Sequence, residues 1–169
     1  MTPEVSFSYE ANYNRVATMT DGTGTTSYAY NPITATPALG AGRLASIDGP
    51  LTNDTITYQY EELGRVINQA INGIGRGVIY DALGRVTNAT NPLGSFGYQY
   101  VNQTARLSSI NLPNGQQTLF DYLDNTGDQR LKQIWNKNSS SATISKFDYE
   151  YNPEGQITKW TQQADSLQP

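Results

Sequence analysis

The chain contains no cysteine and no histidine. Without cysteine there is no disulfide scaffold and no thiolate metal site. Without histidine there is no imidazole base near neutral pH, no ordinary Ser-His-Asp triad and no usual zinc site. Basic residues are also few, 11 Lys and Arg against 15 Asp and Glu, for a net charge of −4. That balance excludes the clustered cations that nucleic acid or an anionic membrane surface requires. No apolar run approaches the roughly 18 residues of a membrane-spanning helix, so membrane insertion is not expected. The opening MTPEVSFSYE lacks the basic-then-apolar pattern of a signal segment; the signal of a longer exported protein would lie elsewhere. Apolar residues, Tyr included, make up 37% of 169 positions. One domain without a deep compact core is therefore expected, a sheet with polar surface on both sides.

What the chain has instead is a repeat. Aligned on an aromatic doublet, a short gap, an Arg and an aliphatic residue, it falls into seven units: FSYEANYNRVATM, YAY…GAGRLASI, YQYEELGRVINQ, VIYDALGRVTNA, YQYVNQTARLSSI, FDYLDNTGDQRLKQI and YEYNPEGQITKW. The anchors are Arg15, Arg43, Arg65, Arg85, Arg106, Arg130 and, in the last unit, Gln156, at spacings of 28, 22, 20, 21, 24 and 26. Only Arg76 among the arginines lies outside this position, and only Tyr13 among the tyrosines lies outside the doublets. Such concentration marks a structural repeat.

One unit shows the local physics. Thr55-Ile-Thr-Tyr-Gln-Tyr60 alternates polar residues with β-branched and aromatic ones, the period of a strand. Tyr58 and Tyr60, two apart, share a face. Glu61 to Gly64 is a short connection with a Gly available for positive φ. A second strand begins at Arg65-Val66, and Asn72-Gly73 closes it with a hairpin turn pair. Equivalent punctuation follows the other Arg strands at Asp21-Gly22, Asp48-Gly49-Pro50, Asn91-Pro92-Leu93-Gly94 and Asn114-Gly115. No window carries a helical apolar stripe. The expected fold is all-β: consecutive antiparallel hairpins, roughly 13 or 14 strands, in a curved, spiralling repeat sheet, because open sheets of that width curl. After each Arg the apolar residues recur three apart (Val16 and Met19, Leu44 and Ile47, Leu107 and Ile110, Leu131 and Ile134, Ile157 and Trp160), where a flat strand would space them by two. A bulge in each unit reconciles the two periods. Sheet edges without caps invite pairing, so the chain is expected to be a segment of a longer repeat protein or to self-associate edge to edge. The insert Asn31 to Ala41 is expected to be a surface loop.

YDALGRV at Tyr80 to Val86 resembles the signature of the YD repeat, also called the RHS repeat. YEELGRV at Tyr60 to Val66 and YNPEGQI at Tyr151 to Ile157 are close variants, and the resemblance covers nearly the whole chain. The matching positions are Tyr9, Arg15, Tyr30, Arg43, Tyr60, Gly64, Arg65, Tyr80, Asp81, Gly84, Arg85, Tyr100, Arg106, Tyr122, Arg130, Tyr151 and Gly155. Only one unit has Tyr-Asp; others have Glu, Asn, Val or Leu after the Tyr, and units five and six lack the Gly before Arg. The resemblance implies a spiral of hairpins that in insecticidal toxin-complex C components, RHS polymorphic toxins and teneurins closes into a shell. It implies a secreted or cell-surface protein, a scaffold or toxin-encapsulating wall, and, in several members, carbohydrate binding.

The repeated Arg is expected to be structural. Its stem packs over a neighbouring Tyr and its head pairs with a turn acid, Arg65 with Asp81 or Glu61 and Arg85 with Asp81. The doublets are expected to pack across strands. The functional alternative uses Tyr28, Tyr58, Tyr98 and Tyr149 as phenol faces for a sugar. No carboxylate pair stands out as a glycosidase site, so no enzyme activity and no cofactor are expected. Asp121-x-x-Asp124-Asn125-Thr126-Gly127-Asp128 distantly resembles a calcium loop but lacks the spaced ligands and distal Glu; a turn is the expectation. Expected partners are flanking repeats or a second copy, with glycans or an encapsulated toxin as further candidates. The two places where the repeat is broken, Asn31–Ala41 and Asp124–Asp128, are where chemistry should be sought.

Overall fold

In the computed structural model, which describes residues 4–36 and 38–164, the chain is all-β apart from one short 3₁₀ turn. Fourteen strands follow one another in chain order in a sheet that is open. They are β1 (Ser6–Tyr9), β2 (Val16–Asp21), β3 (Gly24–Tyr30), β4 (Leu44–Asp48), β5 (Ile56–Tyr60), β6 (Val66–Ile71), β7 (Ile74–Tyr80), β8 (Val86–Asn91), β9 (Gly94–Tyr100), β10 (Leu107–Asn111), β11 (Gln117–Tyr122), β12 (Leu131–Lys137), β13 (Thr143–Tyr151) and β14 (Ile157–Ala164). Two compact units divide the chain, residues 1–78 and 79–169.

In the first unit the hairpins close on the turns read from the sequence. Asp21 pairs with Gly24 across Gly22-Thr23, and the Asp21 carboxylate accepts from the backbone N–H and hydroxyl of Thr23. Ile71 pairs with Ile74 across Asn72-Gly73, both at positive φ (52° and 79°), as this two-residue turn demands. The second unit repeats the device at Asn91–Gly94, where the Asn91 side chain accepts from the N–H of Leu93.

The three-residue apolar spacing has its cause in the register. Tyr9 pairs with Val16 and Ser8 with Thr18, which leaves Ala17 as an extra residue. The same shift leaves Ala45, Ile67, Ser108, Lys132 and Thr158 as extra residues opposite Tyr30, Tyr60, Tyr100, Tyr122 and Tyr151. Residues three apart in a flat strand point to opposite faces. With one bulged residue between them, Val16 and Met19 share a face, and so do Leu44 and Ile47. That face is the Tyr face: Phe7 lies opposite Met19, Tyr28 opposite Ile47, Tyr58 opposite Gln69, Tyr98 opposite Ile110, Phe120 opposite Ile134 and Tyr149 opposite Trp160. Each such pair contributes about 0.2–1 kcal/mol.

Burial is shallow throughout. Among the described residues only Tyr60 (9% exposed) is a buried apolar residue, and only Ser109 (3%) a buried polar one. Stability is therefore spread over many half-buried contacts between neighbours, the arrangement of a repeat protein. No described helix is long and apolar enough to cross a membrane.

Candidate functional site

The motif residues converge on one recurring junction. It begins with backbone geometry. The N–H of the residue after the second Tyr donates to the carbonyl of the motif Arg: Glu10 to Arg15 (3.0 Å), Asn31 to Arg43 (2.8 Å), Glu61 to Arg65 (3.0 Å), Asp81 to Arg85 (2.9 Å), Val101 to Arg106 (2.8 Å), Leu123 to Arg130 (2.8 Å) and Asn152 to Gln156 (3.0 Å). Positions 10, 31, 61, 81, 101, 123 and 152 are thus structurally equivalent, whatever the loop length that follows. In four units a glycine just before the anchor takes the left-handed conformation, Gly42 (φ 75°), Gly64 (74°), Gly84 (80°) and Gly155 (87°), while the unit-one connection from Glu10 to Arg15 closes without a positive-φ residue. Units five and six, which lack that Gly, place Asn102 (48°), Asp128 (55°) and Gln129 (52°) in the same region.

Where the equivalent position is acidic, the Arg takes it as a partner. Arg15 Nε donates to Glu10 at 2.6 Å, Arg65 Nη2 to Glu61 at 2.9 Å and Arg85 Nε to Asp81 at 2.7 Å. The Arg65 hydrogen bond holds the Glu61 carboxyl below its usual range, against the upward push of burial. At Asp81 burial pushes upward, and the N–H groups of Arg85 and Leu83 together with the Arg85 side chain more than reverse it. Arg130 finds its anion in Asp128 instead (2.6 Å).

Arg15, Arg43, Arg85, Arg106 and Arg130 then reach forward to the next doublet. The guanidinium lies over the next doublet's second Tyr: Arg15 over Tyr30 (4.2 Å to the centroid), Arg43 over Tyr60 (5.7 Å), Arg85 over Tyr100 (4.4 Å), Arg106 over Tyr122 (5.3 Å) and Arg130 over Tyr151 (5.8 Å). It also donates to carbonyls of the next turn: Arg15 to Gly42 (2.7 Å), Arg85 to Asn102 (2.9 Å), Arg106 to Gln129 (3.2 Å) and Arg130 to Asn152 (3.0 Å). In return the Tyr hydroxyl donates backward to the carbonyl just before the bulge: Tyr30 to Val16 (3.0 Å), Tyr60 to Leu44 (2.7 Å), Tyr100 to Val86 (2.7 Å), Tyr122 to Leu107 (2.9 Å) and Tyr151 to Leu131 (2.7 Å). Burial pushes the Tyr60 and Tyr122 phenols up, partly offset by the nearby Arg43 and Arg106 charges. The sequence reading placed Arg over Tyr but missed these hydroxyl bonds, because donor and acceptor lie 14 to 20 residues apart in different units.

Of the four phenols proposed for ligands, Tyr28, Tyr98 and Tyr149 face apolar cross-strand partners, Ile47, Ile110 and Trp160. Tyr58 differs. It lies opposite Gln69, whose amide meets its hydroxyl at 3.3 Å, and it lines a cavity of ≈ 430 Å³ with Asn31, Leu39 and Tyr60. A second cavity of ≈ 390 Å³ shares Ala38 and Leu39 and is lined further by Arg43, Glu62, Leu63 and Gly64. Both are lined by Ala38 and Leu39 of the insert together with residues of the third unit's first strand and turn. The other broken place is a turn: Asp124 caps the 3₁₀ segment Asn125–Gly127, its Oδ1 accepting from Thr126 N–H (3.0 Å), Thr126 hydroxyl (2.6 Å) and Gly127 N–H (3.2 Å). These bonds, the Thr126 hydroxyl first, hold its carboxyl low. With Asp121 on Lys132 (3.1 Å) and Asp128 on Arg130, the acids there are engaged by the protein itself.

Fold and junction together define a repeat of antiparallel β-hairpins tied unit to unit by Arg and Tyr. No protein-family model and no curated protein matches the chain. Among solved structures it is similar in fold to part of the crystal structure of TcdB2-TccC3-TEV, at a TM-score of 0.55 and 14% identity over 95% of this chain. It is likewise similar to part of TcdB2-TccC3-Cdc42, at 0.54 and 15% over 89%. In each case the chain spans 11% of the larger one. At these identities the likeness is one of fold.

Proposed function

We propose that this chain is a non-enzymatic wall segment of a larger hairpin-repeat protein, serving as a scaffold or an enclosing shell outside the cell. The observation that supports it is the junction. The motif side chains are spent on tying each unit to the next, and the likeness in fold is to a small part of much longer chains. On this reading the partners are further repeats or a second copy. At Val16, Leu44, Val86, Leu107 and Leu131 the carbonyl after the Arg receives the following Tyr hydroxyl; Ile157 holds that place in β14, where Ile157 and Trp160 are 54% and 57% exposed. An incoming hairpin would cover both. Sedimentation velocity over rising concentration tests this. Association that grows with concentration and disappears in Trp160→Lys is expected; a folded monomer at every concentration would oppose it. The second reading, glycan binding by phenol faces, is favoured only at Tyr58, where a cavity adjoins the ring. Glycan-array binding lost in Tyr58→Ala would support it, and an array without signal would dismiss it.

A further inference from the structure

Among the described residues Arg43 departs from the other motif arginines in being exposed and without a side-chain hydrogen bond; in having no ion pair it resembles Arg106, whose equivalent position is Val101. For Arg43 the equivalent position is Asn31, whose side chain donates to the Gly40 carbonyl (3.2 Å) inside the insert. Arg15, Arg65, Arg85, Arg106 and Arg130 are half-buried; Arg43 is exposed. Among the described residues its guanidinium has no ion pair and no hydrogen bond, only the Tyr60 ring. It is nevertheless well located. A Cβ on Gly64 would meet Arg43 Nε and Cζ at 2.6 and 2.7 Å, so the planar head lies against the Gly64 backbone with Tyr60 beside it. Arg43 lines the ≈ 390 Å³ cavity together with Leu39, Leu63, Glu62 and small residues, Gly64 among them, and among the described residues Glu62 also has no ion pair.

We infer that this cavity is a binding site for a small monocarboxylate. The Arg43 fork takes the carboxylate as Arg15, Arg65, Arg85 and Arg130 take Glu or Asp, by charge-assisted hydrogen bonds. Glu62 accepts from a hydroxyl or ammonium on the ligand body and disfavours a second anionic group. Leu39 and Leu63 cover its apolar side. The volume lies within the range of small-molecule sites. The repeat thus supplies a cation that pairs with an internal acid at Arg15, Arg65 and Arg85, and at Arg43, where position 31 is Asn and no carbonyl of the next turn engages the head, the place is left to an external one. This inference stands apart from the wall and glycan readings, because a carboxylate on a non-sugar body satisfies it equally.

The test is a proton–nitrogen NMR titration of the whole chain, following the Arg43 side-chain Nε–H and the Gly64 and Leu39 amides. The probes are glucuronate and N-acetylleucine, each against its neutral counterpart, glucose and N-acetylleucine amide. Saturable shifts with one or both acids and none with the neutral compounds are expected; which acid responds separates sugar acids from apolar acids. Asn31→Asp restores the internal partner and is expected to weaken binding at least about tenfold, as is Arg43→Gln. Arg76→Gln, whose guanidinium meets Gln69 away from the cavity, leaves binding unchanged. No shift with either acid, equal shifts with the neutral probes, or undiminished shifts in Asn31→Asp would overturn the inference. Because Asn31→Asp restores the motif's own chemistry, it decides the matter even if Arg43→Gln folds poorly.

Discussion

Arg85 and Arg43 hold the same position in their units. Arg85, whose side chain is 20% exposed, pairs with Asp81, lies over Tyr100 and donates to the turn of unit five. Arg43 lies over Tyr60, at the longer distance of 5.7 Å, and lines a cavity. The intact junction and the interrupted one differ at one residue, Asp81 against Asn31, and in the length of loop between that residue and the Arg. A motif position therefore does not fix a role. The same cation is structural where an internal anion or the next turn's carbonyls engage it, as at Arg85 and Arg106, and available where neither does.

The largest expected effect follows from breaking the intact junction. Arg85→Ala removes an ion pair, a cation–π contact and a turn hydrogen bond at once and should cost about 2–3 kcal/mol in urea unfolding. Arg43→Ala should cost under about 1 kcal/mol. Equal losses would erase the comparison.

Glycine sharpens it next. Gly64→Ala meets both a φ of +74° and the Arg43 head, within 2.6 Å of Nε, and should cost about 2 kcal/mol or more. Gly73→Ala, at +79° with open space around it, should cost only the backbone strain of about 1 kcal/mol. A double substitution Gly64→Ala with Arg43→Ala should recover the difference by thermal melting.

Tyr100→Phe deletes a hydroxyl that bonds the Val86 carbonyl and should cost about 1 kcal/mol. The smallest effect concerns pH. Glu61 and Asp81 are held below their ordinary range, so the stability they contribute is present above that range and lost as pH falls through the lowered values. Melting temperature should be level from neutrality to about pH 5 and decline below about pH 4. Asp81→Asn should flatten that acid limb, and Asn31→Asp should steepen it.

Much of the junction was legible in the residues. The doublets, the Gly before Arg and the turn pairs each have a local reason, a period of two, a left-handed φ or a two-residue hairpin, and Arg85 with Asp81 lies within reach along the chain. The bulge was legible as a conflict of periods, three against two, that only an extra residue resolves. The Tyr hydroxyl bonds were not, because donor and acceptor lie in different units and meet only once the sheet has assembled. Nor was the Arg43 cavity, although Asn31 at the acidic position and the eleven-residue insert were its signals in the sequence.

By itself, then, the order of residues determined the repeat, its strands, its turns and the absence of a deep core, since these depend on near neighbours and composition. Tertiary structure decided which arginines are engaged by the next turn and which one is left exposed. That choice depends on where an inserted loop folds relative to the next unit's turn, a distance no local pattern encodes.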